Sequence, residues 1–155
     1  MGTDMNKLPP RPGTRPRTTG QEIPHDQLDQ FSPPEIRAEL IARAQALPGV
    51  FTGPSQVSEP SSLALRLRNP RGPWEAFLPP TGDEFGHVHR SGFLHLTVPL
   101  GDIEHLTELG WIEPHPITRR PQFPDSIVML YAPRDAFELD VVTTVLHASY
   151  EQAAG

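Results

Sequence analysis

The chain has 155 residues, the length of one domain with its own hydrophobic core. Its net charge of −6 argues against nucleic acid or an anionic membrane as the main partner, and its lack of cysteine excludes disulfides, thiolate metal sites and a cysteine nucleophile. No apolar run approaches the roughly 20 residues of a membrane helix, and the N-terminus lacks the apolar stretch of a signal peptide. These features predict a cytoplasmic protein of bacterial type whose partner is a small molecule.

The first part of the chain differs in composition from the rest. Residues 1–30 are rich in proline, threonine, arginine and glycine and show neither helical nor strand periodicity. We therefore predict a disordered or loosely draped tail, in which His25 has no role, ahead of a single domain over residues 31–153. A helix follows, with Ser32 as its N-cap and Glu35 three residues later in a capping-box pattern, and a Pro-Gly pair ends it.

The remainder of the chain predicts strands and two more helices. Alternating apolar and polar residues indicate half-buried strands, separated by breaks rich in proline or glycine. The five predicted strands cover residues 63–68, 74–79, 84–90, 93–99 and 126–133. A short helix ends at Gly110, and Asp135 caps a last helix with Glu138 three residues on. This order predicts an α+β fold, a mainly antiparallel sheet of about five strands with three helices packed on it.

Three of the seven histidines flank a Ser-Gly pair in the segment EFGHVHRSGFLHLTVP. Side chains alternate across a strand, so His87 and His89 share a face, and the length of the turn decides where His95 points. A three-residue loop with glycine in the left-handed position sets His87 opposite His95, whereas a two-residue loop separates them. Only the three-residue loop gathers the aliphatic residues on one face, and a slip of one residue is costly when a face is buried. We therefore predict that the three imidazoles share a face with Phe85 and Phe93.

A sheet face of this kind has three interpretations. Neutral imidazoles are the usual ligands of divalent iron, zinc or copper, so His87, His89 and His95 could together bind one metal ion. Without a metal, the same groups can act as a general base and as hydrogen-bond donors to an oxyanion. They can also be structural, bonded to backbone or water on a half-exposed face.

A proline-rich loop follows the second predicted helix and begins with GWIEPHP. Long proline-rich loops often form the walls of pockets. Trp111 in this loop can anchor the core or line such a pocket. His115, two residues after Glu113, is predicted as a further partner of the three imidazoles.

Three segments, EFGHVHRSGFLHLTVP, GWIEPHP and VMLYAPRDAFELDVVTTVLHASY, resemble the luciferase-domain family, named after the fungal luciferase, in their residues and in their order. The resemblance covers roughly residues 50–150. It implies an enzyme that oxidises an enolic or phenolic compound with O₂ and uses neither a metal nor a flavin. It also implies a pocket that carries His87, His89, His95 and His115.

These observations together predict an oxygenase-like enzyme without a cofactor that acts on a small enolic or phenolic substrate. The predicted catalytic residues are His87, His89, His95 and His115, and the predicted substrate-binding residues are Phe85, Phe93, Trp111 and Glu113. One alternative is a mononuclear metal protein with the first three imidazoles as ligands. The other is a non-catalytic module that binds a small molecule or a partner.

Overall fold

The computed structural model describes residues 4–155 of the chain. Within them the chain forms three α-helices, six β-strands and four short 3-10 helices. The α-helices are α1 (Pro34–Gln45), α2 (Ile103–Glu108) and α3 (Ala136–Ala154), and the strands are β1 (Val50–Pro54), β2 (Leu63–Leu67), β3 (Glu84–Val88), β4 (Leu94–Thr97), β5 (Ile112–Pro114) and β6 (Ile127–Leu130). The predicted α+β class, with an antiparallel sheet and three helices, is confirmed.

The described strands form one antiparallel sheet in the order β1-β2-β3-β4-β6-β5. One face of this sheet carries aliphatic residues such as Val88 and Leu94, which are fully buried in the same core as Leu146 of α3. Helix α1 packs against α3 on this side. Because side chains alternate along a strand, His87 and His95 point to the opposite face, which we call the histidine face.

The strands differ from the prediction at three places. Residues 74–79 were predicted as a strand but begin with the short 3-10 helix Trp74–Ala76, because Pro73 precedes it and the ladder would lose backbone donors to proline. Strand β1 was not predicted, and its residues are mostly half-buried because it lies at one edge of the sheet. Strand β5 was predicted as loop; it has three residues, and its Pro114 is tolerated because the strand forms the other edge.

The helix starts follow the predicted caps in one case and depart from them in another. The Asp135 carboxylate accepts a hydrogen bond from the Glu138 N–H at 2.9 Å, which confirms the predicted N-cap of α3. Helix α1 instead has Pro33 as its N-cap. The hydroxyl of Ser32, the predicted cap, donates to the Pro133 carbonyl at 2.5 Å. This bond ties the start of α1 to the segment before α3.

The N-terminal segment corrects the prediction of a disordered tail. Residues 4–30 bond to the folded sheet at several points: the Pro9 carbonyl accepts the indole N–H of Trp111 at 2.7 Å, and the Gln27 side chain accepts the Ala132 N–H at 3.0 Å. A polar, proline-rich segment without periodicity can be ordered in this way, because it satisfies backbone and side-chain groups that the domain would otherwise leave unpaired. The part of the predicted tail before residue 4 lies outside the described residues.

No helix among the described residues is both long and apolar enough to cross a membrane. The extent of the domain, predicted as residues 31–153, stays a prediction.

Candidate active site

The turn between β3 and β4 brings histidines onto one patch of the histidine face. His89 N–H donates to the Phe93 carbonyl at 2.8 Å across a three-residue loop, in which Gly92 has a φ of +103°. His87 therefore pairs directly with His95. The predicted loop length and register are confirmed, and the left-handed glycine is their physical cause.

A β-bulge decides which side chain lies next to His87. The pairing of β2 with β3 shifts by one residue after Leu65. Phe85, predicted to bind substrate, consequently lies in the helix-covered core, where its ring meets that of Tyr150 edge-on. Glu84 takes its place on the histidine face, fully buried, with its Oε2 2.9 Å from His87 Nδ1. The sequence carries no signal for this bulge, and the role of Glu84 was missed for that reason.

The four predicted catalytic histidines lie together, joined by a fifth. Nδ1 of His95 is 3.3 Å from Nε2 of His87 and 3.0 Å from Nε2 of His89. The other ring nitrogen of His95, Nε2, is 3.2 Å from Nδ1 of His25. The His115 ring lies edge-on to that of His95, with 4.5 Å between centroids. We call these five side chains the imidazole cluster.

His25 enters the imidazole cluster from the N-terminal segment and is held there by Glu113. Nε2 of His25 lies 2.8 Å from the Glu113 carboxylate, which also accepts hydrogen bonds from the hydroxyls of Tyr131 and Thr18. Burial alone would raise the pKa of Glu113, but these three hydrogen bonds outweigh burial and lower it. Glu113 is therefore ionised and accepts a hydrogen bond from His25. It contacts a member of the imidazole cluster, whereas the sequence predicted a contact with substrate.

Burial favours the neutral form of His89, His95 and His115. It lowers the pKa of His89 and of His115 to about 3, and that of His95 well below its ordinary value, with repulsion from neighbouring imidazoles as the second cause. A neutral imidazole has one N–H and one bare nitrogen, and its hydrogen-bond partners decide which nitrogen is which. The bare nitrogens can accept a proton or bind a metal ion.

A backbone N–H fixes the tautomer of His115. Its Nδ1 accepts the backbone N–H of Ile117 at 3.0 Å, so Nε2 holds the proton of the neutral ring. His115 is consequently a hydrogen-bond donor. It fits the stabilisation of negative charge and does not fit the role of a base.

A cavity of about 520 Å³ opens onto the histidine face. All five members of the imidazole cluster line it. Its other walls are largely apolar and come from four parts of the chain; they include Ile23, Val57, Leu78, Ile117, Phe123 and Ile127. A cavity of this size, with apolar walls and a few convergent polar groups, is typical of a site for a small organic ligand.

The predicted substrate-binding aromatic residues lie outside this cavity. Phe93 stacks on the His89 ring with 4.0 Å between centroids, so it fixes the plane of that imidazole. Trp111 is buried in the core and is bonded to the N-terminal segment. With Phe85 also in the core, the apolar walls come instead from residues that the sequence did not single out.

Part of the chain that carries this site matches the model of a known protein family. Residues 82–149, which include β3, β4 and most of α3, match the family model described as "Luciferase domain". The match contains four members of the imidazole cluster and leaves out His25, which the N-terminal segment supplies.

Several curated proteins are similar to a longer part of the chain than the family model is. The chain is 28% identical over 167 residues to a protein named "Luciferase" from Armillaria mellea, and equally identical to luciferases of Armillaria gallica and Armillaria ostoyae. Each alignment covers 92% of this chain and 59% of the relative. The chain thus spans about three fifths of the length of these relatives. No solved structure matches the chain with significance.

Proposed function

We propose that this protein is an oxidoreductase that uses O₂ to oxidise a small enolic or phenolic compound in the cavity on the histidine face. The main support for this proposal is that the imidazole cluster converges at a largely apolar cavity. The similarity to proteins named luciferases supports the reaction class, since it covers 92% of the chain.

The proposed step begins with the acidic hydroxyl of the substrate. Its proton moves to a bare nitrogen of the cluster, at His87 or His89, and leaves an electron-rich enolate. The enolate carbon forms a bond to O₂, and the resulting peroxide anion takes the proton back. The net change is enol plus O₂ to a hydroperoxy ketone, with O₂ as the only oxidant.

Two features of the cavity favour this step. The Nε2–H of His115 can donate to the anionic oxygen of the enolate or of the peroxide, which stabilises charge that develops during the reaction. The apolar walls exclude water and suit the ring of a phenol or a hydroxypyrone. Both features serve a neutral substrate that becomes negatively charged in the site.

The test is O₂ consumption with hydroxypyrones and catechols. We expect uptake by the wild type and a loss of about 100-fold or more in His89→Ala and His87→Ala, as is typical when a general base is removed. His147→Ala is the matched control, because His147 lies on α3 outside the cavity. Uptake at equal rates in all four proteins would reject the proposal. Tight binding of these compounds without uptake would favour the non-catalytic binding module.

A further inference from the structure

The outer nitrogens of three imidazoles each face a group that can accept an N–H. Nδ1 of His87 faces the buried carboxylate of Glu84 at 2.9 Å, and Nδ1 of His89 faces the hydroxyl oxygen of Ser62 at 3.3 Å. Nε2 of His95 faces Nδ1 of His25, the nitrogen left bare because the other donates to Glu113. When these groups accept, each ring has an N–H on the side away from its two companions.

The inner nitrogens of the same rings then point at one another without protons. They are Nε2 of His87, Nε2 of His89 and Nδ1 of His95, and the last lies 3.3 Å and 3.0 Å from the first two. Lone pairs at these distances repel unless a cation lies between them. A shared proton can relieve one such contact, but His95 Nδ1 faces two lone pairs at once.

We propose that His87, His89 and His95 bind one divalent first-row transition-metal ion through these three inner nitrogens. Metal–nitrogen bonds of about 2.0–2.1 Å place two ligand nitrogens about 3.0 Å apart at a right angle and about 3.4 Å apart at a tetrahedral angle. The observed separations of 3.0 Å and 3.3 Å fall in this range. The partners of the outer nitrogens match the carboxylates and other acceptors that orient metal-bound histidines elsewhere.

Two neighbouring groups of side chains are less suited to an ion. In the group of His25, His95 and His115, the free nitrogen of His115 carries the ring proton because Nδ1 is bonded to the backbone. In the group of Asp26, Glu59 and His89, Glu59 is largely exposed and its side chain is not fixed by burial. The three inner nitrogens belong to rings that are 4% to 5% exposed, and they alone have a complete set of outer acceptors.

The ligand set selects the ion and its place in the proposed function. Three neutral imidazoles suit zinc, iron or copper in the divalent state and do not suit magnesium or calcium, which prefer oxygen. All three rings line the cavity, so the remaining coordination positions face the substrate. Only the role of the ion in the reaction rests on the proposed function. The ion would stabilise the negative charge of the enolate oxygen. This metal site takes up the metal-protein alternative that the sequence left open beside the prediction of no cofactor.

Metal binding can be measured without any substrate. Protein purified without a polyhistidine tag and freed of metal with a chelator is titrated with Zn²⁺ by calorimetry, and with Co²⁺ followed by its visible absorption. We expect one ion per chain. His87→Gln, His89→Gln and His95→Gln should each weaken binding by about 100-fold or more. Glu84→Gln should weaken it by about 10- to 100-fold, as is usual for a partner of a metal-bound histidine.

The matched control is His115→Gln, which removes an imidazole of the same cavity that is not in the proposed ligand set. It should change Zn²⁺ affinity by less than about threefold, within the context dependence of a nearby neutral change. Circular dichroism checks that each variant is folded. The Co²⁺ spectrum of the wild type tests the site even if a variant does not fold. Absence of saturable binding at one ion per chain would overturn the inference, as would equal losses in His115→Gln and His95→Gln. If O₂ uptake persists in chelated protein, the metal has no role in the reaction and the proposed function stands. If one ion binds but no O₂ uptake is found, the metal site stands and the proposed function is rejected.

Discussion

Individual side chains around the imidazole cluster determine where each ring holds its proton. Glu84 and Glu113 lie at opposite ends of the patch, and both accept from a ring nitrogen that points away from His95. Between them, His95 bonds to His25 through one nitrogen and faces His87 through the other. A buried carboxylate and a half-buried one thus orient a row of imidazole rings, and the bare nitrogens collect in the middle, beside the cavity.

The close approach of β3 to β4 depends on a glycine. A Cβ at Gly86 would lie 2.7 Å from Leu96 Cβ and 3.0 Å from the His95 carbonyl oxygen, so alanine would push the strands apart. We expect Gly86→Ala to lower the free energy of unfolding by about 1–3 kcal/mol, measured by urea unfolding. Gly82→Ala is the control, because a Cβ there meets nothing within 4 Å. Equal stability of the two variants would show that the strands can separate freely.

Phe85 tests the bulge directly. Its side chain is fully buried and packs against Tyr150, so Phe85→Ala leaves a cavity in the helix-covered core. We expect a loss of about 3–5 kcal/mol in the free energy of unfolding. Phe137→Ala, at a largely exposed position on α3, should change it by less than about 0.5 kcal/mol. A stable Phe85→Ala variant that loses affinity for an aromatic ligand would instead return Phe85 to the cavity, as the sequence predicted.

At the level of secondary structure, the N-terminal segment acts as part of the site and not as a tail. It carries His25 to the imidazole cluster and is held by Gln27, whose side chain accepts the Ala132 N–H and donates to the carbonyls of Asp29 and Gln30. The segment therefore closes one side of the patch and is held there by hydrogen bonds.

Replacement of Gln27 tests whether this segment is ordered. Gln27→Ala leaves the buried Ala132 N–H without its acceptor, which we expect to cost about 1–3 kcal/mol and to speed hydrogen exchange at Ala132. Gln21→Ala is the control, because Gln21 is exposed and only its backbone carbonyl is bonded, to Arg119. If the segment were disordered, the two variants would exchange and unfold alike.

The elements with strong local signals could be predicted from the sequence. Strands β2, β3, β4 and β6 alternate or are strongly apolar, and the β3–β4 turn has a glycine where φ must be positive. The short edge strands β1 and β5 lack such periodicity, since they are stabilised by pairing with a neighbour. His25 and Glu84 could not be predicted, because the first depends on how an aperiodic segment docks and the second on a bulge. The same bulge moved Phe85 from the predicted histidine face to the helix-covered core.

For the whole molecule, the buried imidazoles couple stability to pH. The pKa of His89 and of His115 is about 3 in the folded chain, against 6.5 for an exposed histidine, so between these values the unfolded chain binds more protons. The contribution of these rings to the free energy of unfolding is therefore fully present above about pH 6.5, and it is lost as the pH decreases towards about 3. Urea unfolding of metal-free protein at about pH 7.5 and about pH 5 should show this loss. A free energy of unfolding that is equal at both values would mean that these rings are charged or exposed in the folded chain.

The proton pattern of the imidazole cluster can be observed by ¹⁵N nuclear magnetic resonance of the histidine rings at neutral pH. The account predicts that His95 carries its proton on Nε2 and has a bare Nδ1, and that His115 likewise has its proton on Nε2. Addition of one equivalent of Zn²⁺ should shift the ¹⁵N resonances of His95 Nδ1 and of Nε2 in His87 and His89. The resonance of His115 Nε2 should not change. A proton on Nδ1 of His95, or a doubly protonated ring at that position, would contradict it.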